Sequence, residues 1–214
     1  YEMTDKLMVK FTEMTAGDKR ANNFNIDRNY REEIVENSGR YTIGPFEFNT
    51  VYSEFAPSYY KEGLLFSSDR DTGNLARYRH TWNAKDFLDL YKTNVDSSSM
   101  NRVVKLDKAI NTRLHESGTA ATKDGKTLYF TRNNFVDGKT EKDENGVVRL
   151  KIFRAQLTEG VFGSLEELPF NSENYSVANP ALSPDEKTLF FVSDMPGSLG
   201  ESDVFKVAIN EDGT

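Results

Sequence analysis

The sequence predicts a mainly β fold preceded by a short α-helical segment, and three observations lead to that prediction. Aromatic residues make up 12% of the 214 residues, with 15 Phe and 10 Tyr, and this enrichment favours strands. A helical pattern is confined to the first 40 residues. After it, one unit recurs three times at intervals of 62 and 60 residues, which indicates a repeat fold.

Residues 1–40 are expected to be helical. An amphipathic stripe of apolar residues covers their first half: Leu7, Met8, Phe11 and Met14. A second helix is predicted over 29–36, with Asp27 as its cap. The helical pattern ends after Arg40.

Each repeat opens with Asn followed by Thr or Ser, at Asn49, Asn111 and Asn171. A strand of small residues follows, then a turn, an apolar strand and, after a variable loop, a third strand. The apolar second strands are the clearest copies, at 64–67, 128–131 and 189–192. A fourth strand is predicted at 102–106 in the first repeat and at 162–168 in the second.

Four short antiparallel strands per repeat are typical of the blades of a β-propeller. We therefore predict a propeller portion over 41–214, part of a ring, with blades at 49–110, 111–170 and 171–214. We expect the second strand of each blade to lie toward the propeller axis. Known propellers have roughly four to eight blades, so we expect the protein to continue past Thr214. The stretch 41–48 would supply a strand to another blade.

Composition excludes several classes of partner. The net charge is −7 and no basic patch stands out, so we expect no nucleic acid. No stretch approaches the ~20 apolar residues of a membrane span, so direct membrane insertion of this segment is not expected. Cysteine is absent, which excludes disulfides and thiolate metal sites within this chain.

Residues that could carry chemistry are scarce. Neither His80 nor His115 has ligands at a recognisable metal-site spacing. Residues 141–146 resemble half of a calcium loop, but Ile152 stands where such a loop needs a bidentate Glu. The G-x-S-x-G turn of serine hydrolases is absent. We therefore expect no catalytic residue, no cofactor, no metal and no enzyme activity.

The long loop before the third strand of the first repeat stands out by its composition. Its candidate side chains are Arg77, Arg79, His80 and Trp82, the only Trp of the chain. Trp and Arg are common anchors of protein interfaces, so we predict that these residues bind a protein, with Phe135 of the second repeat as a neighbour. The same composition fits a loop that packs Trp82 on its own blade, and the two interpretations are compatible.

The turn and second strand of each repeat carry a motif. Residues 183–194, S-P-D-E-K-T-L-F-F-V-S-D, follow the pattern S-P-D-G-K-x-L-x-F-x-S-D of TolB-type propeller repeats, with Glu186 in place of Gly. Residues 123–131 follow it almost as closely, and the copy at 61–63 has lost the Asp. On these residues the chain resembles TolB-like β-propeller proteins.

Four further stretches, 36–43, 79–83, 131–134 and 194–203, resemble a narrower group. These are the Bacteroidota OmpA-family proteins, which join tetratricopeptide-like helices, a propeller and a C-terminal peptidoglycan-binding OmpA-like domain. The resemblance implies that 1–40 is the end of a tetratricopeptide-like domain.

The same resemblance implies a function. We expect a non-catalytic, protein-binding scaffold of the cell envelope, periplasmic and outer-membrane-associated, linked to type IX secretion or gliding machinery. Its implied partner is an outer-membrane barrel of the PorP/SprF type, and peptidoglycan would be bound only through a domain outside this chain. The alternative is the propeller domain of a hydrolase, either prolyl-oligopeptidase-like or carbohydrate-active.

Overall fold

A computed structural model describes residues 2–15, 17–26, 30–70, 79–80, 83–94, 103–136 and 138–210 of the chain. The chain divides into two compact units, Tyr1–Phe46 and Glu47–Thr214. The first unit is helical and the second consists of β-sheets.

Three helices form the first unit: α1 (Glu2–Met14), α2 (Lys19–Ile26) and α3 (Tyr30–Asn37). Asp18 Oδ1 accepts the backbone N–H of Arg20 at 2.8 Å, which caps the start of α2. Tyr30 Oη donates to Asp5 Oδ1 at 2.8 Å and ties α3 to α1. These helices confirm the predicted helical character of the segment, and the predicted cap Asp27 lies outside the described residues. None of the helices described is long and apolar enough to cross a membrane.

The second unit contains three successive antiparallel sheets. The first has the order β1-β2-β3-β4, formed by β1 (Glu54–Tyr60), β2 (Gly63–Ser68), β3 (Asp89–Asn94) and β4 (Val103–Lys105). Next along the chain come β5 (Glu116–Ala121), β6 (Thr127–Asn133), β7 (Phe135–Val136), β8 (Lys139–Thr140), β9 (Leu150–Thr158) and β10 (Val161–Glu167). The second sheet has the order β5-β6-β9-β10, and β7 and β8 form a separate hairpin. The third sheet has the order β11-β12-β13, formed by β11 (Val177–Leu182), β12 (Thr188–Ser193) and β13 (Asp203–Ala208).

The three sheets stand side by side with their first strands together, since β1 contacts β5 and β5 contacts β11. Apolar side chains fill the spaces between neighbouring sheets. One core, between the first two sheets, includes Leu65, Leu90 and Phe130, and the other, between the second and third, includes Ile152 and Phe191. Consecutive propeller blades pack in this way, and the described residues form no closed ring.

The first strand of each sheet, and not the second, lies at the inner edge, where neighbouring sheets meet. The expectation that the second strand lies toward the propeller axis is therefore wrong. Small residues allow the first strands to approach closely: the hydroxyls of Ser58 and Thr119 are hydrogen-bonded, and a Cβ atom on Gly118 would lie 2.8 Å from Asn179 Oδ1. The bulky second strand instead occupies the middle of its sheet, where neighbouring sheets cover its apolar side chains.

A β-bulge recurs in each first strand. The pairing with the second strand shifts register in all three sheets. The residues at the shift have positive φ: 52° at Ala56, 47° at Gly118 and 56° at Asn179. Non-Gly residues adopt such angles infrequently, and a bulge bends and twists its strand. The bulge is therefore a regular feature of this repeat.

Residues 41–48 form no strand in the described part of the chain, and the blade that they are expected to complete is not among the three sheets, so that expectation stays a prediction. Most side chains of this stretch are exposed, and its backbone pairs with no strand of the described residues. A strand needs a partner edge for its backbone hydrogen bonds, and apolar character alone does not supply one.

The side chains of Asn111 and Asn171 bind the third strand of the preceding sheet. Asn111 Oδ1 accepts the N–H of Leu90 at 2.7 Å, and Asn111 Nδ2 donates to the Leu90 carbonyl oxygen at 3.0 Å. Asn171 makes the same two bonds to Ile152, at 2.9 and 2.7 Å. Asn49, at the same position of the first repeat, is exposed. The recurring Asn therefore fastens the start of the second sheet to the first, and the start of the third sheet to the second.

Glu116, the first residue of β5, is fully buried. Thr112 Oγ1 donates to its Oε1 at 2.6 Å, and its Oε2 has no hydrogen-bond partner in the described part of the chain. Burial raises the pKa of Glu116 to about 8, so the carboxyl is protonated at neutral pH. Glu54, at the same position of the first sheet, instead accepts a 2.9 Å hydrogen bond from Arg70 Nη2.

The second strand supplies the first prediction. Phe130 and Phe191 are 0% and 4% exposed, which confirms the predicted burial of both. Changing either to Ala should lower the free energy of unfolding by about 3–5 kcal/mol, through lost apolar burial and a residual cavity. Denaturant unfolding of the 214-residue chain measures the loss. The control is Phe190→Ala on the same strand, because Phe190 is 38% exposed. A loss below about 1 kcal/mol at both buried positions would contradict the packing.

Glu116 supplies the second prediction. Its carboxyl ionises near 4.5 in the unfolded chain but near 8 in the folded chain. Stability that is present below pH 4.5 is therefore lost as the pH rises toward 8, with a slope of about 1.4 kcal/mol per pH unit for one group. Glu116→Gln removes this loss, so the stability of the variant relative to the unchanged chain should grow with pH.

Denaturant midpoints measured at several pH values between these limits test that expectation. The control is Glu201→Gln, because Glu201 is exposed. If Glu116→Gln and Glu201→Gln change the pH dependence equally, Glu116 is not protonated in the fold.

Candidate functional site

The loops between the second and third strands leave from one end of the three sheets, because the strands are antiparallel. We call this the loop end; its loops are 69–88, 134–149 and 194–202. The predicted protein-binding residues lie on the first two of these loops. Arg77 and Trp82 are outside the described residues, whereas Arg79, His80 and Phe135 can be placed.

Arg79 lies on a short hairpin-like turn at the loop end. Its backbone forms an isolated antiparallel bridge with Asp86, and its Nε is 3.8 Å from Asp86 Oδ1. Its side chain is 55% exposed. Lys85, on the same turn, donates from Nζ to Ser53 Oγ at 2.9 Å and so attaches the turn to the first sheet. Arg79 is thus held on an anchored turn while it remains accessible.

His80 folds back toward the sheets. Its ring centroid is 5.7 Å from that of Phe87 and 5.4 Å from that of His115, and Phe87 and His115 are 4.6 Å apart. His115 Nδ1 accepts the N–H of Leu88 at 3.1 Å. Burial, and secondarily the charge of His80, lowers the pKa of His115 to about 4, which keeps its ring neutral. The structure therefore shows the His80 side chain packed within the domain.

Phe135 begins the β7–β8 hairpin and packs against Arg113, whose Cζ is 4.9 Å from the ring centroid. Arg113 Nη2 also donates to the carbonyl oxygen of Gly138 at 3.1 Å, within the same hairpin. The carbonyl oxygen of Phe135 accepts a 3.1 Å hydrogen bond from Arg132 Nη2. The hairpin is thus fixed by two arginines.

Phe135 also lines a surface cavity of about 470 Å³, which sequence reasoning did not anticipate. The lining residues are Thr112, Arg132, Phe135, Val136, Phe153, Leu165 and Glu167. A signal for it was available: Arg132 interrupts an apolar second strand at the position where the other two repeats have Ser68 and Ser193.

A buried lysine lies close to this cavity. Lys151 Nζ is 2.8 Å from Glu167 Oε1 and 2.6 Å from Glu173 Oε1. Burial by itself would lower the pKa of Lys151, but the hydrogen bonds that Lys151 donates to Glu167 and Glu173 outweigh it and raise that pKa. Lys151 therefore carries its charge and forms ion pairs with both carboxylates.

The carboxylate of Asp143, in the stretch that resembles half of a calcium loop, is used within its own turn. Its Oδ1 accepts the N–H groups of Asn145 and Val147, at 2.9 and 2.8 Å, and its Oδ2 accepts Arg149 Nε at 2.9 Å. In the described residues, no three His, Cys, Asp or Glu side chains are grouped so that they could hold a metal ion.

No family model and no curated protein matches this chain. Among solved structures it is similar to a puromycin-hydrolysing peptidase of Mycobacterium tuberculosis, at 12% identity and a TM-score of 0.48, over 78% of this chain and 22% of that one. It is also similar to TolB from Acinetobacter baumannii, at 23% identity and a TM-score of 0.43, over 73% of this chain and 30% of that one. The chain thus spans less than a third of the length of either protein.

Proposed function

We propose that this chain is the propeller portion of a non-catalytic scaffold that binds another protein through its loop end. The observation that carries the proposal is the anchored and accessible turn at Arg79. Its backbone is bridged to Asp86, and Lys85 ties it to Ser53. An Arg that is held in place loses less conformational freedom when it binds, and Arg is among the residues that contribute most to interfaces.

The sequence resemblance supports the wider setting of this proposal. The setting proposed on that resemblance is the periplasm, in association with the outer membrane, within a type IX secretion or gliding assembly. The proposed partner is an outer-membrane barrel of the PorP/SprF type. The sequence has no G-x-S-x-G turn, the nucleophile turn of serine hydrolases; the alternative, the propeller domain of a hydrolase, would be distinguished by the sequence that flanks this chain.

The third prediction concerns this surface. Changing Arg77, Arg79 and Trp82 together to Ala should abolish co-purification of the complex from cells, because it removes an aromatic anchor and two charged hydrogen-bond donors. The melting temperature of the variant protein is measured in parallel and should change little if the loop binds a partner.

A matched control lies at the opposite end of the sheets. Tyr59, Lys126 and Lys187 supply one aromatic and two cationic side chains, all exposed, and changing them to Ala should leave the complex intact. If the complex survives the loop substitutions while the variant melts early, the loop serves the fold and the proposal is wrong.

A further inference from the structure

Arg132 is 4% exposed at the base of the 470 Å³ cavity. It pairs across the sheet with Glu116 on one side and Lys151 on the other. Its Cζ lies 4.0 Å from the ring centroid of Phe153, so the guanidinium stacks on that ring. One nitrogen, Nη2, donates to the carbonyl oxygen of Phe135 at 3.1 Å. The fold therefore holds the guanidinium in a single orientation.

Glu116 and Glu167 attract the charge of Arg132 from a distance, but neither pairs with it directly. In the described part of the chain, its Nε has no hydrogen-bond partner and no carboxylate oxygen lies within 4.0 Å of its nitrogens. Glu167, the carboxylate of the cavity lining, is instead bound to Lys151 at 2.8 Å. A buried charge that lacks a partner is costly, and a ligand that supplies an anion would relieve that cost.

The walls of the cavity are suited to an apolar group. Phe135, Val136 and Leu165 line it beside Arg132, and Val136 and Leu165 are 37% and 38% exposed. Its volume falls within the range of small-ligand pockets, roughly 300–1,000 Å³. The lining carries one cation and one anion, Arg132 and Glu167, so a ligand with a single negative charge is repelled less by Glu167 than a phosphate dianion would be.

We propose that this cavity binds a carboxylate attached to an apolar group, with Arg132 as the residue that takes the carboxylate. A guanidinium matches the planar geometry of a carboxylate through two parallel N–H groups. The carboxylate could belong to the C-terminus of a peptide or to a small carboxylic acid, and the recognition chemistry is the same. This site does not depend on the proposed contact through Arg79.

Three probes distinguish the sources of the carboxylate. They are a pentapeptide that ends in Phe with a free carboxylate, the same peptide as its C-terminal amide, and 3-phenylpropionate. Binding to the 214-residue chain is measured by titration calorimetry. We expect the free-acid peptide to bind and the amide not to bind.

If 3-phenylpropionate binds as tightly as the peptide, the ligand is a small acid, and if the peptide binds more tightly, the ligand is a chain terminus. The proposal is overturned if neither acid binds or if the amide binds equally well.

Variants locate the binding. Arg132→Met should weaken the binding of the acids about tenfold or more, as the loss of a charge-assisted hydrogen bond implies. Val136→Asp is a second variant that leaves the guanidinium in place and puts a negative charge at the cavity mouth. It should weaken binding similarly. The control is Val161→Asp, because Val161 is 55% exposed and does not line the cavity. Equal effects of the two Asp substitutions would show that the acids bind elsewhere.

Discussion

The hydrogen bonds of Asn111 and Asn171 are the constraint on which the succession of sheets depends. Each amide satisfies both the N–H and the carbonyl oxygen of one residue in the preceding third strand, Leu90 or Ile152. Asn111 and Leu90 are buried, so loss of the Asn111 amide would leave the Leu90 N–H unsatisfied at a cost of about 1–3 kcal/mol, while the Leu90 carbonyl oxygen would keep the N–H of Leu106 at 2.9 Å. Since the same Asn begins the next repeat, one side chain closes one sheet and sets where the next one starts.

The contact between first strands is the second constraint. Small side chains allow Ser58 to bond Thr119, and Asn179 donates its N–H to Thr131 Oγ1 at 2.8 Å. The turns that follow these strands also touch: Lys123 Nζ donates to the carbonyl oxygen of Pro184 at 2.6 Å. Neighbouring sheets are thus joined near their inner edge by polar bonds, and further out by apolar packing. The loop end is positioned by this framework, which fixes where Arg79 and the Arg132 cavity lie.

The sequence was sufficient to predict the features that the periodicity of apolar residues determines. It predicted the helical character of the first 40 residues, though not α2 as a separate helix, as well as the successive antiparallel strands and the burial of Phe130 and Phe191, because apolar spacing directly reflects which face is covered. It failed where the outcome depends on a partner. The inner position of the first strands follows from contacts between sheets, which no local pattern reveals. The Arg132 cavity was missed because it requires residues from four segments, and no local pattern brings together Thr112, Phe135 and Leu165.

The most direct test of this account is amide hydrogen exchange in Asn111→Ala, with Asn171→Ala and Asn49→Ala alongside. The account predicts that the Leu90 amide loses protection in Asn111→Ala and that the Ile152 amide loses protection in Asn171→Ala. Asn49→Ala, an exposed position of the same repeat, should leave both amides protected. If Leu90 and Ile152 exchange at unchanged rates in the Asn111 and Asn171 variants, these side chains do not join the sheets and the account is wrong.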